Sequence, residues 1–532
     1  MRFSFFSSDK WDLNAVQPPW GDRASIYQHI LANIRPGEPG LGEQGDQLPD
    51  DEIVRGDNQL RWAPGALDGV FGHHGGGGEP EDVATNILES FRALTKKSTT
   101  ERAASLYNLL VENSALSYVD QLIEAVFAHD DLELPRLYEI AHWLATGAAD
   151  REPIKCAISL LGVCQGGDDR DLLLTLGRHE EFTLFASVAL KNAGDEPELS
   201  LWALACLVTG WGRIQIIERL AETKDEQIKA WLLREGYHND ILYEYTALIC
   251  AKTGELSIAL LTPDPDDKLL RGAGAILTAL IQGHGGPVEG IEAYEAGPAA
   301  TELYLTHLQT RDLDLQGFNN VARIDQFLKE DFNEAEDFTQ GWKERSATLL
   351  ALTNAILSRP GWEQMVRDGL DSDDRQTFWT ATEAARQLGL DAWEVYFDRV
   401  KRGEDLWHFL AQTKDNDRID RVITLAEETM PLNEIASGPS DSLGIGPEFE
   451  HHNALSYVLQ ELRRFPGKGW PLIRTGMQSP VVRNRSMAVM ALAAWDRTTW
   501  PNEAEPLLRS AIALEPNEQT LEIMVKTIDQ SV

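Results

Sequence analysis

"ALACLVTG" at residues 203–210 and "ALICAKTG" at 247–254 place Ala, Leu, Cys, Thr and Gly in the same order 44 residues apart. One unit upstream, "SLLGVCQG" at 159–166 keeps Leu160 and Gly166 in register. The segments that follow show a similar spacing: "DLLLTLGRHEEFTLFASVAL" from Asp171 corresponds to "IQIIERLAETKDEQIKAWLL" from Ile214, with Leu176 opposite Leu220. Leu201, Leu204, Ala205 and Val208 fall at the i, i+3, i+4, i+7 positions of a helix face rather than at strand alternation. Acids in "GGDD" (166–169), "AGDEPE" (193–198) and "TKDE" (223–226) mark helix starts, where capping and the helix dipole favour them. Each unit is therefore expected to hold two or three helices.

A period near 44 with that content resembles the HEAT and armadillo families, over residues 150–260. The resemblance implies an all-α solenoid and a binding surface. A looser echo comes later: "RDGLDS" (367–372) and "RTGMQS" (474–479) share R-x-G-[LM]-x-S, and each follows a Gly-Trp pair, Gly361-Trp362 and Gly469-Trp470. The expected organisation is an irregular N-terminal cap at 1–80, repeats at 81–262, helices with long loops at 263–341, and a second repeat block at 342–532. A Pro/Gly/Ser-containing loop at 431–450 interrupts that last block.

The chain is too long, at 532 residues, for one compact core. With 48 basic and 85 acidic residues its formal charge is −37, which repels nucleic acid and anionic membranes and suits a basic partner. The longest basic cluster is Lys96-Lys97. Cys156, Cys164, Cys206 and Cys250 form no C-x-x-C pair and are expected to be small core residues. The N-terminal "MRFSFF" is too short for a signal peptide, and no window reaches the length of a membrane span, so a cytoplasmic location is expected.

The chemical candidates are few. "GLGEQG" (40–45) matches G-x-G-x-x-G, but the strand and helix that a dinucleotide needs are not predicted around it. Gly75–Gly78 precede Glu79, Glu81 and Asp82, acids that would repel a phosphate, so the glycines read as a hinge. The residues that would form a site, if there is one, are Trp62, Asp68, His73 and His74, with Glu448 and His451 opposite as further nitrogen and oxygen ligands. The alternative for residues 60–74 is a docked cap whose Trp62 and Phe71 are buried. Of the fifteen tryptophans, Trp143, Trp202, Trp231, Trp379 and Trp393 fall in predicted helices, where core packing is the default.

"PPWGDRASIYQHI" (18–30) and "LPDDEIVRGDNQLRWAPGALDGVFGHH" (48–74) resemble the start of a group of bacterial proteins labelled limonene hydroxylase. That resemblance implies a monooxygenase acting on a small hydrophobic terpene, using flavin or haem with NAD(P)H. The chain shows no convincing motif for any of these cofactors, since GLGEQG lacks the strand and helix that it needs. The preferred expectation is an interaction scaffold without a cofactor that binds a basic protein segment, with the oxidoreductase as alternative.

Overall fold

A computed structural model describes residues 11–55, 64–65, 81–128, 132–164, 167–192, 196–286, 288–330 and 340–529. Among these the regular structure is helical, and the only β pairing consists of two isolated bridges, Ile34 with Leu41 and Ser442 with Val481. The chain divides into two compact units, Met1–Arg359 and Pro360–Val532. The boundaries expected from the sequence stand near 80, 262, 342 and 440.

In the first unit, helices pack on neighbours one and two places along the chain. Leu134–Gly147 lies against Arg151–Leu161, and Arg151–Leu161 in turn lies against Glu180–Asn192. Arg170–Gly177 packs on Glu180–Asn192 as well. Such local packing needs only one apolar stripe per helix, as Leu137, Ile140, Ala141 and Leu144 supply in Leu134–Gly147, all fully buried. Three of the four cysteines are buried; Cys206 is exposed and so departs from the expected core role.

The N-terminal residues dock along the flank of these helices. Trp62 and Phe71, expected in the cap, lie outside the described residues, and the docking side chains described are Trp20, Ile26, Ile30, Leu41 and Leu48, all buried. Ser25 caps the helix Ile26–Ala32 by accepting from the Gln28 N–H, and its own hydroxyl donates to the Thr146 carbonyl at 2.7 Å. Trp20 sits between Tyr107 and Trp143, with ring centroids 5.5 and 4.5 Å away. A Cβ on Gly147 would stand 2.5 Å from the Trp20 ring, so only glycine lets the indole seat there. The segment bonds to successive helix ends: the Trp11 indole N–H donates to the Leu94 carbonyl, and the Gly40 N–H to that of Leu207. It thus runs along several helices of the first unit.

In the second unit, both Gly-Trp pairs open helices, Trp362–Leu370 and Trp470–Met477, with Gly361 and Gly469 in the left-handed region at φ 99° and 68°. The loop at 431–450 is partly ordered. It contains the helix Leu432–Ile435 and a short 3-10 turn, Pro447–Phe449, and the Gly438 N–H donates to the Gln478 carbonyl at 2.8 Å.

Candidate functional site

The described residues of the first unit form a cleft of about 1510 Å³ at one end of its helices. It forms where chain starts and ends of three helical pairs converge. Pro135 and Pro197 sit in the first turns of Leu134–Gly147 and Pro197–Ala205, where a missing N–H costs no helical bond. These starts set Leu134 and Leu199 beside Phe127 from the end of Ala115–Ala128. All three apolar side chains are open to solvent: Phe127 is 60% exposed and Leu134 43%.

Acids rim this apolar floor. Asp168, Asp169 and Glu196 line the cleft, and Arg170 is the single cation among the described lining residues. Arg170 is held by the Ser200 hydroxyl, to which its Nε donates at 3.1 Å. Asp169 accepts from the Tyr138 hydroxyl at 3.0 Å. Burial, and then that carboxylate, push the phenol up to about 12, so it remains a donor. Burial also raises the Cys164 thiol in the cleft wall to about 11, which keeps it protonated and a poor nucleophile. The cleft can therefore bind, through apolar contact and negative charge, but it carries no activated nucleophile among the residues described. In the sequence these acids read only as helix starts. The signal for the cleft is an apolar residue, Phe127, standing next to an acidic turn.

A second charged cluster lies beneath the N-terminal segment. Arg151 bonds Asp50 at 2.9 Å, also pairs with Asp51, and stands 3.6 Å from Glu181. The Lys155 ammonium reaches Glu181 at 2.7 Å and Glu152 at 3.3 Å, with its side chain only 3% exposed. Burial would raise Glu181, but Lys155 and Arg151 outweigh it and hold the carboxyl down to about 2. Burial lowers the neighbouring His179 to about 4, so it is neutral near pH 7. Every charge in this cluster faces an opposite one, and Asp50 closes it over at 1% exposure. The arrangement fastens residues 50–51 to the helix Arg151–Leu161.

Of the residues singled out from sequence, Trp62, Asp68, His73 and His74 lie outside the described residues. Glu448 and His451 are exposed at the start of the helix Glu450–Leu462. The engaged imidazole is the next one, His452, whose Nδ1 is 3.1 Å from the buried Ser479 hydroxyl. Among the described residues no group of three or more His, Cys, Asp or Glu side chains is placed to hold a metal ion, and no helix is long and apolar enough to cross a membrane.

No family model and no curated protein matches the chain. Among solved structures, an engineered protein aligns with 84% of this chain and 98% of its own length at 15% identity. The TM-score is 0.22, too low to carry any argument about fold or function.

Proposed function

We propose that the protein is an α-solenoid interaction scaffold whose first unit binds a basic, amphipathic segment of a partner protein in the cleft at Phe127, Leu134 and Leu199. The observation that carries this reading is the pairing of three solvent-open apolar side chains with a rim of Asp168, Asp169 and Glu196. Such a surface matches a helix or extended segment that has apolar residues on one side and lysines or arginines on the other. The chain's net charge of −37 adds a long-range field that speeds encounter with a cationic partner.

Anisotropy of a labelled amphipathic Leu/Lys peptide, titrated with the full chain at low and at physiological salt, tests the proposal. Binding is expected to weaken with salt, because the rim charges are exposed and screened. Phe127→Ala is expected to weaken it by about tenfold, since exposed aromatic anchors carry much of the energy of such contacts. Asp168→Lys combined with Glu196→Lys should reduce both the affinity and its salt dependence. If the peptide fails to bind, or binds equally to all these variants, the cleft is not the docking site.

A further inference from the structure

The first residues of the loop at 431–450 line a pocket of about 590 Å³ in the second unit. Its walls come from the end of the helix Asn416–Thr429, the short helix Leu432–Ile435 and the helix Trp470–Met477. The last of these carries the R-x-G-[LM]-x-S echo, and the two copies of the echo treat their arginine differently. Arg367 is held by Glu363 one turn earlier, to which its Nη2 donates at 2.7 Å. One turn before Arg474 stands Trp470 instead, and Arg474 forms no ion pair among the described residues. The second arginine is thus left to face the pocket.

The other polar side chains of the lining are equally unengaged. Glu427 and Glu434 share the pocket with Arg474, and among the described residues neither carboxylate has a hydrogen-bond or ion-pair partner. The same holds for the amides of Asn433 and Gln478. Thr475 is only 5% exposed and lines the pocket, yet its hydroxyl has no hydrogen-bond partner among the described residues. Elsewhere in the second unit such threonines bond backward along their helix, as Thr429 does to the Leu425 carbonyl. A hydroxyl so deeply enclosed and unbonded is costly unless something entering the pocket meets it.

One cation and two carboxylates, all unpaired, select the chemistry of the occupant. A phosphate would meet Glu427 and Glu434, a simple cation would meet Arg474, and an apolar molecule would strip water from all three. A molecule with one negative and two positive groups answers each of them. We propose that the pocket binds a free α-amino acid with a cationic side chain, of the class of lysine, ornithine and arginine. The α-carboxylate meets the Arg474 guanidinium, whose fork matches it, and the two cationic groups meet Glu427 and Glu434. The Thr475 hydroxyl and the two amides complete the shell. The volume lies within the range of small-molecule sites. This site rests on other residues than the first unit's cleft, in a separate unit, so either proposal can fail alone.

The test is calorimetric titration of the full chain with L-lysine, L-glutamate and cadaverine, which is lysine without its α-carboxylate. L-lysine is expected to bind and L-glutamate is not. Cadaverine should bind about tenfold or more weakly than L-lysine, because it leaves Arg474 unmet. Arg474→Gln should bring L-lysine down to the level of cadaverine, and Glu434→Gln should weaken L-lysine by about tenfold. Both positions are exposed, so the helical circular dichroism should not change. Thr475→Val should weaken binding by a few-fold without lowering the denaturation midpoint, since the hydroxyl leaves no bonded partner behind. The proposal is overturned if L-lysine does not bind, if cadaverine binds as tightly, or if Arg474→Gln and Glu434→Gln bind as the parent does. It is equally overturned if Phe127→Ala abolishes the binding, which would place L-lysine in the first unit's cleft.

Discussion

The first unit is tied together across long stretches of chain, the second between neighbouring helices. Asp50 reaches Arg151 and Arg23 reaches Asp150, each across a hundred or more positions of sequence. In the second unit, the pairs Asp391–Arg418, Glu394–Arg421 and Arg485–Glu515 span 27 to 30 positions. The difference shows in how each unit treats its internal echo. In the first, Leu204 is enclosed while its counterpart Leu248 is half-exposed, and Cys206 is exposed while Cys250 is buried. In the second, the looser echo keeps its local form: both glycines are left-handed at a helix start, and Leu370 and Met477 are both buried. A backbone turn is specified by the residues within it, whereas the side of a helix that faces inward depends on what packs there.

The largest test of this contrast removes the long-range tie. Deleting residues 1–79 takes away Trp20, Ile26, Ile30, Leu41 and Leu48, whose burial contributes roughly 1.5–3 kcal/mol each before ordering entropy. It also leaves Arg151 without Asp50 and Asp51. Hydrogen exchange read by mass spectrometry should show faster exchange in helices between 134 and 161 and unchanged protection in helices after 360. Unchanged exchange in 134–161 would show that those helices do not depend on the segment.

Next comes the mismatch within the 44-residue echo. Leu204→Ala removes a fully buried side chain and should cost about 2–5 kcal/mol in denaturant unfolding, whereas Leu248→Ala should cost less than about half of that. Equal losses would mean that the two positions are structurally equivalent after all.

Acid should act first on the long-range tie. His179 titrates near 4 in the folded chain, chiefly through burial, against an ordinary value of 6.5. Between those values the unfolded chain holds the extra proton, so stability is fully present above pH 6.5 and falls as the pH drops toward 4. The loss is of order 3 kcal/mol from this one group. Glu181, held down to about 2, adds a further loss in the same direction below its ordinary value of 4.5. His179→Gln should flatten the upper part of the profile, measured as the denaturation midpoint from pH 7 to pH 4. A profile identical to that of the parent would assign the acid sensitivity elsewhere.

Helix content and the neighbour-on-neighbour packing were legible because apolar spacing reports one buried stripe directly. The cap was legible only in part: an irregular, aromatic N-terminal stretch signalled docking, but the expected anchors were Trp62 and Phe71, and Trp20 is the anchor described. Nothing in "PPWGDR" by itself indicates that Gly147, far along the chain, vacates space for the indole. The cleft was hidden for a related reason. Asp168, Asp169 and Glu196 occupy helix starts, where acids are common, and only the convergence of three helical pairs turns them into a rim.

The smallest effect probes the part that sequence specifies best. At Gly361 a Cβ would meet nothing within 4 Å, so Gly361→Ala should cost only the backbone strain of a left-handed alanine, about 1–2 kcal/mol. At Gly469 the same Cβ would stand 2.8 Å from Leu462 Cδ1, and Leu462 is itself fully buried. Gly469→Ala must therefore bear the same strain plus a shift of a packed side chain, and should lose more stability than Gly361→Ala by about a further kcal/mol. Gly→Asn at the two positions separates the components, because asparagine tolerates the left-handed region better than alanine while keeping the Cβ. At 361 asparagine should recover part of the loss; at 469 it should recover less, since the clash with Leu462 persists. Equal recovery at both positions would mean that Leu462 yields freely and that the two turns differ in nothing but sequence.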